Sequence, residues 1–182
     1  DDQSGGIAGV FSAVRGNRLS MRLIAAPGLA GNEAGGTMVI DKIERVTSNT
    51  AIGVLESSGK LLGDDGTPIA KFKLRYQLQR GSRCLDLIGS VELLSGASSD
   101  ASPSFRQNYL AVRTAVASEA VIMRPIVRDK IHTSSARKLV APLGVVLDEA
   151  EKQTLVTGDG LPLHRRVGDR FLDTLITDGR HS

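Results

Sequence analysis

The chain has 182 residues, of which 41% are hydrophobic and 3% aromatic, and its net charge is +3 from 23 basic and 20 acidic side chains. This length is enough for one substantial core, so we expect a single domain over residues 1–182. The mixed charge argues against a nucleic-acid partner, and the lack of a long apolar run argues against a membrane partner. The single cysteine, Cys84, excludes an intrachain disulfide.

The first part of the sequence predicts a series of strands joined by turns. A polar, glycine-rich start precedes a short apolar run at residues 7–11, and residues 17–24 alternate between apolar and polar side chains. The glycines and the proline of residues 27–36 indicate a loop. Two further strand-like segments follow at residues 38–47 and 51–56. We therefore predict a meander of strands in this half of the chain.

The most regular segment, residues 71–94, predicts a long antiparallel hairpin. Apolar side chains occupy alternate positions on both sides of a turn at Arg80-Gly81-Ser82, namely Phe72, Leu74, Tyr76, Leu78, Leu85, Leu87, Val91 and Leu93. Gly89 stands where a large side chain is expected, which indicates a β-bulge or a close backbone approach. A hairpin with one apolar face needs a second apolar layer, so this segment predicts a layered fold.

The strand pattern resumes after a polar loop at residues 96–104. Alternating segments recur at residues 108–116, 120–124, 161–167 and 170–176, and apolar residues nowhere recur at helical spacing over several turns. Roughly ten short strands separated by turn signals are typical of a β-sandwich. We therefore predict an all-β fold, an antiparallel β-sandwich.

Sequence patterns of catalytic, metal and cofactor sites are missing. The histidines His132, His164 and His181 lack the spacing of a zinc site, and no nucleophile elbow, P-loop or dinucleotide-binding pattern occurs. Cys84 lies in a strand without a histidine beside it, which favours a structural thiol. We predict no catalytic residue, no metal site and no cofactor within this chain.

Residues 157–170 are unusually dense in hydrogen-bond donors. His164, Arg165 and Arg166 follow one another, and Asp169 and Arg170 come shortly after. Guanidinium groups can donate paired hydrogen bonds to sugar hydroxyls or to a carboxylate. The alternative is a solvated strand whose two arginines point to opposite faces, with one of them paired to Asp169.

The stretch GLPLHRRVGDRFLDTLI, residues 160–176, resembles a motif in the C-terminal β-domains of glycoside hydrolase family 38 α-mannosidases. SGGI with GNRLS near the start, the hairpin sequence IAKFKLRYQLQRGSRCLDLIGSVEL and the segment RQNYLAVR are similar to further strands of those domains. The resemblance spans almost the whole chain, and HRR is its specific part. After HRR this sequence has Val167-Gly168-Asp169, where the family has a longer acidic stretch.

The resemblance implies an all-β supersandwich of the galactose-mutarotase-like kind, a fragment of a larger multidomain glycoside hydrolase. It implies a catalytic barrel of the same polypeptide as partner, which carries the zinc ion and the nucleophilic aspartate of a retaining mechanism. It implies carbohydrate as ligand, bound by Arg165, Arg166, His164 and Asp169. This chain would then be the noncatalytic β-domain that lends its arginines to the sugar cleft.

Two other functions remain open. One is an independent carbohydrate- or protein-binding β-sandwich without a hydrolase partner, in which HRR is only surface. The other is a mutarotase-like catalytic site, which would need His and Glu side chains converging on a sugar, and only Glu92 and Glu119 lie in clear strand contexts.

Overall fold

The computed structural model describes residues 5–12, 16–25, 35–94, 109–118, 121–149 and 152–177. Within those ranges the chain forms strands and turns, without a helix, and so without one long and apolar enough to cross a membrane. In chain order the strands are β1 (Ile7–Ser12), β2 (Gly16–Ala25), β3 (Thr37–Ser48), β4 (Ile52–Leu62), β5 (Pro68–Gln79), β6 (Leu85–Leu93), β7 (Leu110–Val116), β8 (Ile122–Val127), β9 (Lys130–Ile131), β10 (Lys138–Val140), β11 (Gly144–Glu149), β12 (Lys152–Val156), β13 (Leu163–Val167) and β14 (Phe171–Thr177). The predicted all-β class is confirmed.

The chain packs into two compact units. The first unit comprises Asp1–Gly6 and Ile24–Ser102, and the second comprises Ile7–Leu23 and Pro103–Ser182. A single domain over residues 1–182 stays a prediction, because compact packing inside each unit does not determine whether the two units fold independently.

The first unit contains a four-stranded sheet in the order β3-β4-β5-β6, with antiparallel neighbours. The predicted hairpin is its β5–β6 pair, in which Leu78 lies opposite Leu85 and Gly81 takes a positive φ of 76° in the turn. Gly89 lies opposite Leu74 in unbroken register, so of the two alternatives predicted there the β-bulge is wrong. A Cβ at Gly89 would lie 2.7 Å from Cδ2 of Leu74. The glycine therefore makes room for a neighbouring side chain.

The apolar face of this sheet is buried at one end only. Leu61, Phe72 and Leu74 are almost fully buried, whereas Leu55 and Leu78 are 46% and 49% exposed on the same face. The face therefore ends in an exposed apolar patch near the β5–β6 turn, formed by Leu55, Leu78 and Leu85.

A glycine of the N-terminal segment is fixed on this sheet. The carbonyl oxygen of Gly5 accepts hydrogen bonds from the hydroxyls of Ser57 at 3.1 Å and Tyr76 at 2.8 Å. Gly5 has a φ of 70°, and a Cβ there would lie 3.2 Å from Ser57. A side chain at this position would therefore be both strained and crowded.

The second unit is a sandwich of two sheets. One has the strand order β1-β2-β7-β14-β13-β10 and the other has the order β12-β11-β8-β9. Buried side chains from both sheets form one hydrophobic cluster, which consists of Val116, Val121, Met123, Leu139, Ala141, Val145, Leu147 and Leu172. Inner faces of two antiparallel sheets that share one core define a β-sandwich. The predicted sandwich is confirmed in this unit.

Candidate functional site

The HRR segment forms β13, which lies between β14 and β10 in the six-stranded sheet. Arg165 is opposite Asp173 on β14 and opposite Lys138 on β10. Beyond Val167 the chain turns back through Gly168, whose φ of 59° suits a tight connection to β14. Because side chains alternate along a strand, His164 and Arg166 lie on one face of the sheet and Arg165 lies on the other.

His164 is buried in the sandwich. Its exposure is 0%, and Nδ1 lies 3.1 Å from Oγ1 of Thr174 on the neighbouring strand. Burial lowers the pKa of His164 below its ordinary value, and an interaction with the backbone of Ala141 opposes this effect only in part. The structure therefore does not bring His164 to a surface where it could contact a ligand.

The other predicted site residues line one groove at the turn end of β13. The groove has a volume of about 480 Å³, and its lining residues are Ser135, Arg137, Arg165, Arg166, Val167, Gly168 and Asp169. Nη2 of Arg166 donates to Oδ1 of Asp169 at 2.7 Å, and Nε of Arg166 donates to the carbonyl of Gly168 at 3.2 Å. Arg165, Arg166 and Asp169 are therefore brought together, and Asp169 orients Arg166. We call this feature the arginine groove.

The guanidinium of Arg165 contacts a buried tyrosine, Tyr109. Nη1 of Arg165 donates to the hydroxyl of Tyr109 at 3.0 Å, and its guanidinium lies 5.6 Å from the centre of the tyrosine ring. The Tyr109 hydroxyl in turn donates to Oδ2 of Asp173 at 3.2 Å. Because the hydroxyl has one donor role and one acceptor role in this chain of bonds, the orientation of all three groups is fixed.

Asp173 and Arg113 complete the hydrogen-bond network that begins at Arg165. Arg113 donates to Asp173 through Nε at 2.6 Å and Nη2 at 2.8 Å, and Asp173 is fully buried. The Arg113 guanidinium also lies 5.2 Å from the centre of the Phe171 ring. Burial raises the pKa of the Tyr109 hydroxyl, and the negative charge of Asp173 raises it further. The phenol therefore stays neutral at physiological pH.

The charge that lines the groove is unbalanced. Among the described residues, three arginines and one acidic residue line the groove, and this acidic residue, Asp169, is paired with Arg166. Within the part of the chain that the structure describes, neither Arg137 nor Arg165 forms an ion pair. Arg137 belongs to the site because its carbonyl accepts a hydrogen bond from the Arg166 backbone at 2.8 Å. The described lining of the groove consequently carries excess positive charge.

Sequence reasoning missed Arg137, Ser135 and the supporting residue Asp173. Arg137 and Ser135 give no local signal, because only the pairing of β10 with β13 brings their segment to the groove. Asp173 had a signal, since it is a charged residue inside the apolar run FLDTLI and a buried charge requires a partner.

Protein-family models, curated proteins and solved structures contain no match to this chain. The family 38 β-domain and its galactose-mutarotase-like supersandwich thus stay predictions. Over the described ranges, no group of three or more His, Cys, Asp and Glu side chains could hold a metal ion. The described residues therefore do not offer ligands for the family's zinc ion. A zinc ion in the catalytic barrel domain stays a prediction.

Proposed function

We propose that this chain is a carbohydrate-binding, noncatalytic β-domain of an α-mannosidase-like glycoside hydrolase, and that its arginine groove holds the sugar. The observation that carries the proposal is that Arg165 and Arg166 line one groove although they lie on opposite faces of β13. Each guanidinium has an orienting hydrogen-bond partner, Arg165 the buried Tyr109 and Arg166 the exposed Asp169. Such preorganisation reduces the entropy lost when a ligand binds.

The chemistry and the size of the groove suit a sugar. Guanidinium groups donate several hydrogen bonds in a fixed planar arrangement, and neighbouring sugar hydroxyls offer pairs of acceptors at a matching spacing. Its volume of about 480 Å³ lies within the range of small-molecule sites, about 300–1,000 Å³. A sugar ring could therefore enter the groove with two arginines beside it.

The apolar patch of the first unit supports the proposed partner, a catalytic barrel of the same polypeptide. Leu55, Leu78 and Leu85 are each between 39% and 49% exposed on one face of the sheet. The central parts of stable interfaces are apolar, and contiguous exposed apolar side chains often mark such interfaces. Packing of the barrel on this patch would remove these side chains from water.

A second candidate function is an independent binding module. All the described lining residues of the arginine groove belong to the second unit, so a ligand could bind there without any catalytic domain. Under this alternative the chain by itself binds its ligand as tightly as any longer protein that contains it.

Calorimetric titration of the full chain with a panel of neutral and acidic sugars tests the proposal. We expect one or more sugars to bind, and Arg165→Gln to weaken that binding about tenfold, as loss of a charge-assisted hydrogen bond predicts. Arg128→Gln is the matched control, because Arg128 is exposed in the β8–β9 turn and does not line the groove. Equal affinity of the two variants, or no binding of any sugar, contradicts the proposal.

The proposed hydrolase partner has a separate test. In a longer protein that contains this chain and a catalytic barrel, Arg166→Ala should lower activity on α-mannosides while the melting temperature changes by only a few degrees. The isolated chain should hydrolyse none of these substrates. Wild-type turnover by the variant would remove the role of Arg166 at the sugar cleft, and hydrolysis by the chain alone would show that the domain is catalytic.

A further inference from the structure

We infer that the arginine groove selects a carbohydrate that carries an oxyanion, a carboxylate or a phosphate, over a neutral sugar. The inference rests on the proposed carbohydrate binding and names the chemical class of the ligand. A neutral sugar is the ligand class that the resemblance to α-mannosidases would imply, so the two expectations differ in a measurable way.

The main observation is the uncompensated charge. Arg137 and Arg165 both line the groove, and among the described residues neither has a carboxylate partner. The acidic residue in the described lining, Asp169, already pairs with Arg166 at 2.7 Å. Unpaired cationic side chains that line one groove attract an anion more strongly than a neutral molecule. A neutral ligand gains none of this attraction.

The second observation is that Arg165 is rigidly presented. Its Nη1 is bonded to Tyr109, and the tyrosine is fixed by the buried Asp173, which is itself fixed by Arg113. The remaining donors of the Arg165 guanidinium stay available for a ligand, because a guanidinium has five N–H groups. Carboxylate and phosphate oxygens match this planar set of donors better than single hydroxyls do.

The third observation concerns aromatic side chains. None of the seven described residues that line the groove has an aromatic ring. A site for a neutral sugar commonly stacks the apolar face of the ring on an aromatic side chain, which contributes much of the contact area. The described lining of this groove offers donors for hydrogen bonds, including the Ser135 hydroxyl, but no aromatic surface for stacking.

Matched ligands test the inference by calorimetry on the full chain. The neutral ligand is methyl α-mannoside, the carboxylate ligand is mannuronic acid and the phosphate ligand is mannose 6-phosphate. Acetate and inorganic phosphate report on the oxyanion without the sugar. We expect at least one acidic sugar to bind about tenfold or more tightly than methyl α-mannoside, and its dissociation constant to rise with added salt. The preference between mannuronic acid and mannose 6-phosphate identifies the oxyanion.

Variants link this selectivity to the groove. Arg137→Gln and Arg165→Gln should each weaken binding of the acidic sugar about tenfold, while Arg128→Gln should leave it unchanged. Arg165→Lys keeps the charge but loses the planar donors, so an intermediate loss is expected. Since Arg165 also bonds to Tyr109, urea unfolding of each variant separates loss of binding from loss of fold, and the exposed Arg137 provides a site with little structural risk.

Each outcome decides between the claims. Equal affinity for neutral and acidic sugars overturns the inference and leaves the proposed carbohydrate binding intact. Acetate or phosphate binding as tightly as the acidic sugar supports an oxyanion site and overturns carbohydrate as the ligand. No binding of any of the five compounds overturns both.

Discussion

Arg113 and Asp173 are directly opposite residues on β7 and β14, and the guanidinium of Arg113 donates two hydrogen bonds to the carboxylate of Asp173. Asp173 is fully buried, and Arg113 is only 7% exposed. An ion pair in such a place is weak evidence for net stabilisation, because removing both charges from water is costly. Breaking it from one side is different, since one charge then remains buried without its partner.

Asp173→Asn should therefore destabilise the protein strongly. The substitution leaves the Arg113 guanidinium buried beside a neutral amide, and we expect a loss of about 3–5 kcal/mol in the free energy of unfolding. Urea unfolding followed by circular dichroism measures it. Asp169→Asn is the control, because Asp169 also pairs with an arginine but is 68% exposed, so its loss should be below about 1 kcal/mol. Similar losses in the two variants would show that Asp173 is not a buried partner.

The stability of the protein should decrease at alkaline pH because of its two tyrosines. Burial raises the pKa values of Tyr76 and Tyr109 in the folded state, whereas in the unfolded state the phenols titrate near pH 10. Above about pH 10 the unfolded state therefore releases protons that the folded state retains, and the free energy of unfolding falls as the pH rises. Unfolding measurements between pH 9 and 11.5 should show this slope, and Tyr109→Phe and Tyr76→Phe should each reduce it. An unchanged slope in the double variant would assign the effect to other groups.

A loss of stability at acidic pH should depend on His164. Burial lowers the pKa of this imidazole in the folded state, so the unfolded state binds its proton first as the pH falls below about 6.5. The stabilisation is complete above that pH and is lost as the pH falls through the lower pKa of the folded state. The variant His164→Gln should lose this part of the pH dependence. His132→Gln, at an exposed position, should retain it, and identical profiles for the two variants would contradict the buried placement of His164.

Two glycines of β4 should respond differently to alanine. A Cβ at Gly59 would overlap the carbonyl oxygen of Val39 and would lie 2.9 Å from the Phe72 ring, so the neighbouring strand or the core would have to move. We expect Gly59→Ala to destabilise the protein by about 2–4 kcal/mol. A Cβ at Gly53 would meet nothing within 4 Å, so Gly53→Ala should change stability by less than about 1 kcal/mol. Thermal unfolding of both variants provides the comparison, and equal melting temperatures would refute the close strand approach at Gly59.

The parts of the fold that sequence reasoning predicted are those with long, regular alternation. Polar and apolar side chains alternate over the nine residues 71–79, and this alternation predicts both a strand at β5 and which of its side chains lie on the apolar face. Gly81 marks the turn that follows. β9 and β10 have only two and three residues, which is too short for any period to be recognised. Their existence depends on the strands beside them.

The residues of the arginine groove were predictable only where a local sequence pattern marked them. The density of hydrogen-bond donors pointed to His164, Arg165 and Arg166, with Asp169 as their acceptor. Sequence periodicity, however, does not determine which face of a strand is buried when both faces carry polar residues. Leu139 and Thr174, the partners of His164 on the adjacent strands, are buried and place that histidine in the interior. Arg137 entered the groove through a long-range strand pairing, which no local pattern encodes.

The apolar patch near the β5–β6 turn also affects how the protein will behave in the test tube. β3 and β6 are the outer strands of that sheet in the described structure, so hydrogen-bonding edges flank a patch of leucine side chains. Outer strands next to exposed apolar groups readily recruit strands from other molecules. Concentrated samples of the chain on its own are therefore prone to self-association and precipitation.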